Sequence, residues 1–334
     1  MSQVTTEKGV GLLRSRVSEW RRVTEYVIVV AIVIESVVFA AIAPEFFSVP
    51  NLVNIALSIA ITGILAVGMT IVILTGGIDL SVGSVAALAG VVGAMIAAAG
   101  GTTAAVVLGS VAALAVGIGV GVFNGFVVAQ FRVPSFVATL AMLTICRGLV
   151  FTITGGRSIS NLPAAFAFVG RARLLGLPVP VIIMFVVFAA GWVLLTRTVF
   201  GRYIYALGGN PRAAFHAGVN TKLFTFLPYV LNGLLVGLAG LVLASRLGAG
   251  VPNAGLQYEL DVIAATVVGG TSLTGGRGSV IGTLWGAVFI GVLNNGLNLA
   301  GVDPYMQRIA LGVVLLLAVL ADQAGKTQSG QVAR

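Results

Sequence analysis

The sequence predicts an all-α polytopic membrane protein, and its composition carries that prediction. Of 334 residues, 58% are hydrophobic and 9% are charged, and the mean hydropathy is +1.09. A soluble globular protein carries roughly 25% charged residues because its surface must be solvated. This composition therefore excludes a soluble chain, and its hydrophobicity excludes a disordered one. The 45 glycines follow no collagen period and suit close helix packing in lipid.

Apolar runs along the chain predict about ten membrane-spanning helices, since about 20 apolar residues cross the bilayer core. The predicted spans are 26–43, 52–74, 82–99, 104–129, 135–154, 179–196, 223–244, 258–270, 280–299 and 305–321. The run at 258–270 is short enough to be a partial or broken helix. The first run follows four arginines like a signal peptide, but its length and the later spans favour a retained helix.

The arrangement of these runs predicts one membrane domain over 23–322, between a basic tail at 1–22 and a short tail at 323–334. Lys and Arg accumulate in cytoplasmic segments, so the net charge of +9 indicates topology rather than nucleic-acid binding. With a cytoplasmic N-terminus, four basic residues face outward: Arg157, Arg171, Arg173 and Arg246. Thirteen face the cytoplasm: Lys8, Arg14, Arg16, Arg21, Arg22, Arg132, Arg197, Arg202, Arg212, Lys222, Arg277, Lys326 and Arg334. Both termini and 197–222 are expected inside, and 155–178 outside.

The sequence shows no motif for enzymatic chemistry. The single Cys146 and the lone His216 give no disulfide framework and no expected metal site. Lys326 and Thr327 imitate the end of a phosphate-binding loop, but Leu320 stands where its first glycine is required. We therefore expect a transport subunit with no cofactor of its own.

Ion coupling would need ionisable groups inside the membrane. The candidates are Glu35, Asp79, Arg147, Glu259, Asp261 and Arg308. Most lie close to predicted helix ends, where solvation explains them, and Glu35 is the deepest. They form no series of acids along the sequence, so an ion-coupled transporter is a weaker alternative.

Three double-glycine segments interrupt the apolar pattern: the first break at 75–81, the second break at 154–157 and the third break at 269–278. Glycine pairs end helices because they tolerate positive φ. The first and third breaks fall on the same predicted face and hint at two related halves. Their structural residues are Gly76, Gly77, Asp79, Gly269, Gly270, Gly275 and Gly276. Glycines four residues apart predict close helix packing at Gly117, Gly121, Gly125, Gly233, Gly237, Gly282 and Gly286.

Asparagines within or near the spans have two interpretations. They form interhelical hydrogen bonds, worth about 0.6–2 kcal/mol each, or they line a pathway for a neutral polyhydroxy solute. The candidate pathway residues are Asn54, Asn124, Asn232, Asn294, Asn295 and Asn298.

The cytoplasmic segment at 207–220 differs from the spans. Asn210 suits a helix N-cap, Pro211 the first helical position and Gly218 the helix end. The sequence predicts a helix of about two turns with Ala213 and Ala214 on its surface, beside Arg212. Such a helix either docks into another protein or is a simple interfacial connector.

In several segments the chain resembles the permease subunits of bacterial ABC importers for ribose, xylose and related sugars, in the group that includes branched-chain amino acid permeases. The matching motifs are TGGIDLSVGS at 75–84, VPSFVATL at 133–140, the loop at 210–220, GGTSL at 269–273 and GGRG at 275–278. They stand in order over most of the chain, and the basic tail before Val23 lies outside them.

The resemblance implies two permease copies that form the pathway, an architecture like that of vitamin B12 importer permeases, and a location in the bacterial inner membrane. It also implies a cytoplasmic ATPase that uses ATP and Mg²⁺, and an external sugar-binding protein that delivers a pentose or hexose. The loop at 210–220 matches the segment that contacts the ATPase. The alternatives are a branched-chain amino acid or nucleoside permease of the same fold, and a secondary transporter that works without an ATPase.

Overall fold

The computed structural model describes residues 26–328, and within them the chain is almost entirely helical. The helices are α1 (Tyr26–Ile42), α2 (Val49–Leu74), α3 (Val82–Gly100), α4 (Thr103–Phe131), α5 (Ser135–Thr154), α6 (Phe168–Arg171), α7 (Val179–Arg197), α8 (Val199–Gly209), α9 (Pro211–His216), α10 (Thr221–Leu247), α11 (Tyr258–Val268), α12 (Val280–Leu299) and α13 (Pro304–Gln328). A 3-10 turn (Ala164–Ala167) and a hairpin of β1 (Arg173–Leu174) and β2 (Leu177–Pro178) complete the segment between α5 and α7. The predicted tail at 1–22 and residues 329–334 lie outside the described residues.

All ten predicted spans coincide with helices. Among the described residues, eight helices are long and apolar enough to cross a membrane: α2, α3, α4, α5, α7, α10, α12 and α13. α1 is apolar but shorter, and α11 has only 11 residues. At 1.5 Å per residue, α11 covers about half of a ~30 Å hydrocarbon core. The expectation of a partial helix at 258–270 is therefore confirmed.

Helix α2 is the central element. It is buried almost continuously from Ile59 to Leu74, and it contacts α7, α10, α11 and α12. A helix that is apolar on every face lies in a protein core or in a membrane. Hydropathy alone does not set α2 apart, because α7 is equally apolar and is less buried.

The glycines spaced four residues apart make the predicted close helix contacts. On α4, Gly117 and Gly121 face Gly233 of α10, and a Cβ on Gly117 would overlap the Gly233 carbonyl oxygen. On α12, a Cβ on Gly286 would overlap the carbonyl oxygen of Ala265 in α11. Small residues let helix backbones approach this closely, so the packing interpretation is confirmed.

Candidate functional site

Glycines of the first and third breaks meet glycines of α8 at the C-terminal end of α2. We call Gly76, Gly208, Gly209, Gly275 and Gly276 the glycine junction. The Gly276 amide donates to the Leu74 carbonyl oxygen at 2.9 Å. A Cβ on Gly208 would overlap that same oxygen, and a Cβ on Gly276 would lie 2.7 Å from the Gly209 Cα. The first and third breaks, which were expected on the same face, are therefore in direct contact.

The part that α8 plays in this junction was not anticipated from the sequence. Gly208 and Gly209 form a fourth glycine pair, which is the signal that could have indicated it. The second break lies apart from the junction: Gly155 and Gly156 are exposed, with φ of 59° and 75°. It ends α5 at the surface.

Asp79 of the first break is buried in a network of neutral hydrogen-bond donors. Its Oδ1 accepts from the Ser81 amide at 2.9 Å and from the Ser81 hydroxyl at 2.5 Å, and its Oδ2 accepts from Asn232 Nδ2 at 2.8 Å. Asn124 Nδ2 donates to Ser81 Oγ at 3.1 Å. A buried carboxylate requires such partners. The network therefore joins the first break to α4 and α10.

Two hydroxyl side chains of α5 satisfy the irregular backbone of the first break. Ser135 Oγ accepts from the Ile78 amide at 3.1 Å, and Thr139 Oγ1 accepts from the Leu80 amide at 3.1 Å. Nonhelical backbone inside a membrane must find its partners within the protein. Ser135 and Thr139 belong to the VPSFVATL motif, so this motif has a structural role that the sequence did not reveal.

The six candidate pathway asparagines separate into three pairs. Asn124 and Asn232 are fully buried in the Asp79 network. Near the other end of α2, Asn295 Nδ2 donates to Asn51 Oδ1 at 2.9 Å, and Asn294 Nδ2 contacts Asp261 Oδ1 at 3.4 Å. Asn54 and Asn298 are exposed.

The hydrogen bonds of Asn294 to α11 and of Asn295 to α2 are interhelical, which was one of the two interpretations, whereas Asn124 and Asn232 join α4 and α10 to the first break. Asn51, the partner of Asn295, was missed by sequence reasoning. The assignment of the six asparagines to a pathway stays a prediction.

Most of the ionisable candidates have local partners. Asp261 pairs with Arg308 at 3.6 Å, and Arg147 Nη1 donates to the carbonyl oxygens of Pro252 at 2.7 Å and Ala254 at 3.1 Å. The Glu35 carboxylate oxygens are buried and have no hydrogen-bond partner among the described residues. None of the hydrogen bonds described above, and not the Asp261–Arg308 ion pair, joins Asp79 to Asp261. These contacts therefore form no continuous chain between the two acids.

The short helix α9 begins as predicted. Asn210 is its N-cap, and Asn210 Oδ1 accepts from the Ala213 amide at 3.0 Å. Pro211 is the first helical residue, and Gly218 follows the helix with φ of 83°. These features confirm the predicted helix and its ends.

The predicted surface of α9 needs one correction. Ala213 is exposed, but Ala214 is 4% exposed, so the expectation that both alanines lie on the surface is wrong for Ala214. Successive residues point about 100° apart on a helix, and α9 packs against the rest of the chain with the face that carries Ala214. The exposed face instead presents Phe215, which is 64% exposed and was not singled out from the sequence.

A cleft of about 980 Å³ opens beside α9. Its walls come from the first break, the α4–α5 connection, α9 and the start of α10. The lining includes Arg132, Arg212 and Lys222 and no acidic residue. This charge favours an acidic partner surface.

Comparisons with known proteins agree on one family. Residues 51–319 match the family described as "Branched-chain amino acid transport system / permease component". The chain is 46% identical over 297 residues to the ribose import permease protein RbsC of Escherichia coli K12, which covers 88% of this chain and 92% of the relative. RbsC of Bacillus subtilis 168 is 44% identical, with 86% and 89% covered.

The xylose transport system permease protein XylH of Escherichia coli K12 is 37% identical, with 85% of this chain and 87% of the relative covered. No solved structure gives a significant match. The helical fold, the near-complete coverage and the family match lead to one conclusion. The chain is a multi-pass membrane protein that belongs to the family of branched-chain amino acid transport system permease components.

Proposed function

We propose that this chain is the membrane-spanning permease of an ATP-driven importer that carries a monosaccharide, a pentose or hexose, into a bacterial cell. The observation that carries the proposal is the 46% identity to a ribose import permease over 88% of the chain. A xylose permease is also similar over most of the chain. A branched-chain amino acid is the second candidate substrate, and the description of the family favours it.

The proposal includes partners on both sides of the membrane. Two copies of the chain would form the pathway, a cytoplasmic ATPase would use ATP and Mg²⁺, and an external binding protein would deliver the sugar. The membrane domain would run over 23–322 in the inner membrane, with both termini in the cytoplasm. The excess of Lys and Arg in 1–22 and 197–222 supports this orientation.

Helix α9 is the proposed contact with the ATPase. Its exposed Ala213 and Phe215 present a small residue and an aromatic anchor, and aromatic anchors dominate many interfaces. Asn210, Pro211, Arg212 and Gly218 shape this segment, while Ala214 holds it to the permease. The basic cleft next to α9 suits acidic residues on the same partner.

The substrate is tested by reconstitution. The chain is purified with its ATPase and binding protein, and uptake of labelled ribose, xylose and leucine into proteoliposomes is measured with and without ATP. We expect ATP-dependent uptake of one of the sugars and none of leucine. Leucine uptake without sugar uptake would support the second candidate, and uptake that needs no ATPase would contradict both.

A further inference from the structure

Helix α8 connects span α7 to α9 and is firmly packed. Thr198 caps its N-terminus, and Ile204 and Leu207 are buried. The Asn210 amide donates to the Ala206 carbonyl oxygen at 3.0 Å, so α9 follows α8 without an intervening linker. Because the two helices also pack on each other, a displacement of α9 should move α8 as well.

The third break is attached directly to α8. The Tyr205 hydroxyl donates to the Gly278 carbonyl oxygen at 2.9 Å. Gly208 and Gly209 contact Gly275 and Gly276 in the glycine junction. Because no side chain lies between these backbones, a displacement of one presses directly on the other. The Tyr205 hydrogen bond fixes the register of this contact.

The third break in turn reaches four helices. It connects α11 to α12, which begins at Val280, two residues after Gly278. Its Gly276 amide bonds to Leu74 at the end of α2. Its Ser272 hydroxyl donates to Asp322 Oδ2 of α13 at 3.0 Å. Movement of α8 is therefore tied to α2, α11, α12 and α13, none of which adjoins α9 in sequence.

We propose that Tyr205 is a positioning residue that couples α9 to the third break, so that closure of the ATPases moves α11, α12 and the end of α2. The movement of α9 would then reach the membrane by two routes. One runs through α7 and α10, which adjoin the α8–α9 segment, and the other runs through the third break. This inference rests on the proposed function, because it needs an ATPase that moves α9. Energetic coupling between distant sites requires such contiguous elements that move together.

The test uses the complete importer, with ATPase and binding protein, in proteoliposomes. Tyr205→Phe removes only the hydroxyl. Tyr203→Phe is the matched control, because Tyr203 lies on the same helix and packs its ring on Phe224 at 4.9 Å. The readout is the number of sugar molecules imported per ATP hydrolysed, which a merely structural role would leave unchanged in assembled complexes. A spin label on the exposed Thr274, in a Cys146→Ala background, reports ATP-dependent movement of the third break.

We expect Tyr205→Phe to keep its ATPase and its rate of ATP hydrolysis. Sugar imported per ATP should fall at least about fivefold, the factor expected from loss of the hydrogen bond to Gly278, and the ATP-dependent signal at residue 274 should shrink. Tyr203→Phe should match the parent in both readouts. An unchanged transport ratio and an unchanged label signal in Tyr205→Phe would overturn the inference. Failure of the proposed function is distinguishable, because the parent complex itself would then import no sugar with ATP.

Discussion

The second and third breaks both contain the sequence Thr-Gly-Gly-Arg, at 154–157 and at 274–277, and have different structures. Gly156 and Gly276 are each the second residue of a glycine pair followed by arginine, and their φ values are 75° and 72°. A Cβ on Gly156 would meet only the Phe151 ring edge at 4.0 Å, whereas a Cβ on Gly276 would lie 2.7 Å from backbone atoms of Gly209. The same motif therefore ends a helix in one place and joins three segments in the other.

The comparison shows that a glycine pair has two separable uses. Positive φ is a local property, and both breaks require it. Absence of a side chain at a close backbone contact is a tertiary property, and only the third break requires it. Alanine substitutions at two glycines with similar positive φ therefore isolate the cost of adding a side chain at the close backbone contact.

The largest expected difference concerns the side of the membrane. The segment after the second break is expected to face outward, and α9, which follows the α8 glycines of the glycine junction, is expected to face the cytoplasm. Ala165 follows the second break in sequence, and Ala213 lies in α9; both residues are exposed. In a Cys146→Ala background, Ala165→Cys should react with an impermeant thiol reagent in intact cells, and Ala213→Cys should react only after the cells are opened. Labelling of Ala213→Cys but not of Ala165→Cys in intact cells would reverse the orientation.

Alanine at the two matched glycines should separate strain from packing. Gly156→Ala should cost about 1–2 kcal/mol from positive φ alone. Gly276→Ala should cost that amount plus about 1–3 kcal/mol for overpacking, and should lower the yield of folded protein. Thermal unfolding in detergent measures the difference. Equal melting temperatures for the two variants would show that the junction is not tightly packed.

Loss of the Asp79 carboxylate should destabilise the first break. Asp79→Ala leaves the donors of Ser81 and Asn232 without their buried acceptor, at about 1–3 kcal/mol for each unsatisfied group. Asp79→Asn keeps one oxygen acceptor and should retain more folded protein. The exposed Glu45 provides the control variant Glu45→Ala. If Asp79→Ala is as stable in detergent as Glu45→Ala, the network does not hold the break.

A smaller effect is expected for the support that α5 gives to the first break. Ser135→Ala removes the acceptor of the Ile78 amide and should cost about 1 kcal/mol. Thr144→Ala is the control on the same helix, because Thr144 is exposed and bonds only its own helix, at the Leu140 carbonyl oxygen. Melting temperatures in detergent compare the stability of the two variants, and Ser135→Ala should melt at the lower temperature. A Ser135→Ala protein as stable as Thr144→Ala would assign the motif another role.

Local signals in the sequence predicted local structure correctly. Apolar run length predicted the helices, and the Asn210–Pro211 pair predicted the start of α9. Helix packing at Gly117 and Gly233 followed from residue spacing.

Contacts between distant segments were not predictable from one sequence. The bond from Ile78 to Ser135 spans 57 residues, and Gly208 meets Leu74 across an even longer separation. The burial of Ala214 rather than Ala213 depends on how α9 rotates against its neighbours, and helical spacing within six residues does not determine that rotation.

The central claim, that α9 transmits ATPase closure to the permease, is tested most directly by Ala213→Glu. Burying an unpaired charge in an interface costs several kcal/mol, and each 1.4 kcal/mol lowers affinity tenfold. Because Ala213 is exposed, the variant should fold and reach the membrane at the parental level. Ala213→Gln, which adds similar bulk without charge, is the control for the electrostatic part. We expect Ala213→Glu to lose ATPase co-purification and ATP-dependent sugar uptake, whereas an Ala213→Glu protein that retains both would show that α9 is only a connector.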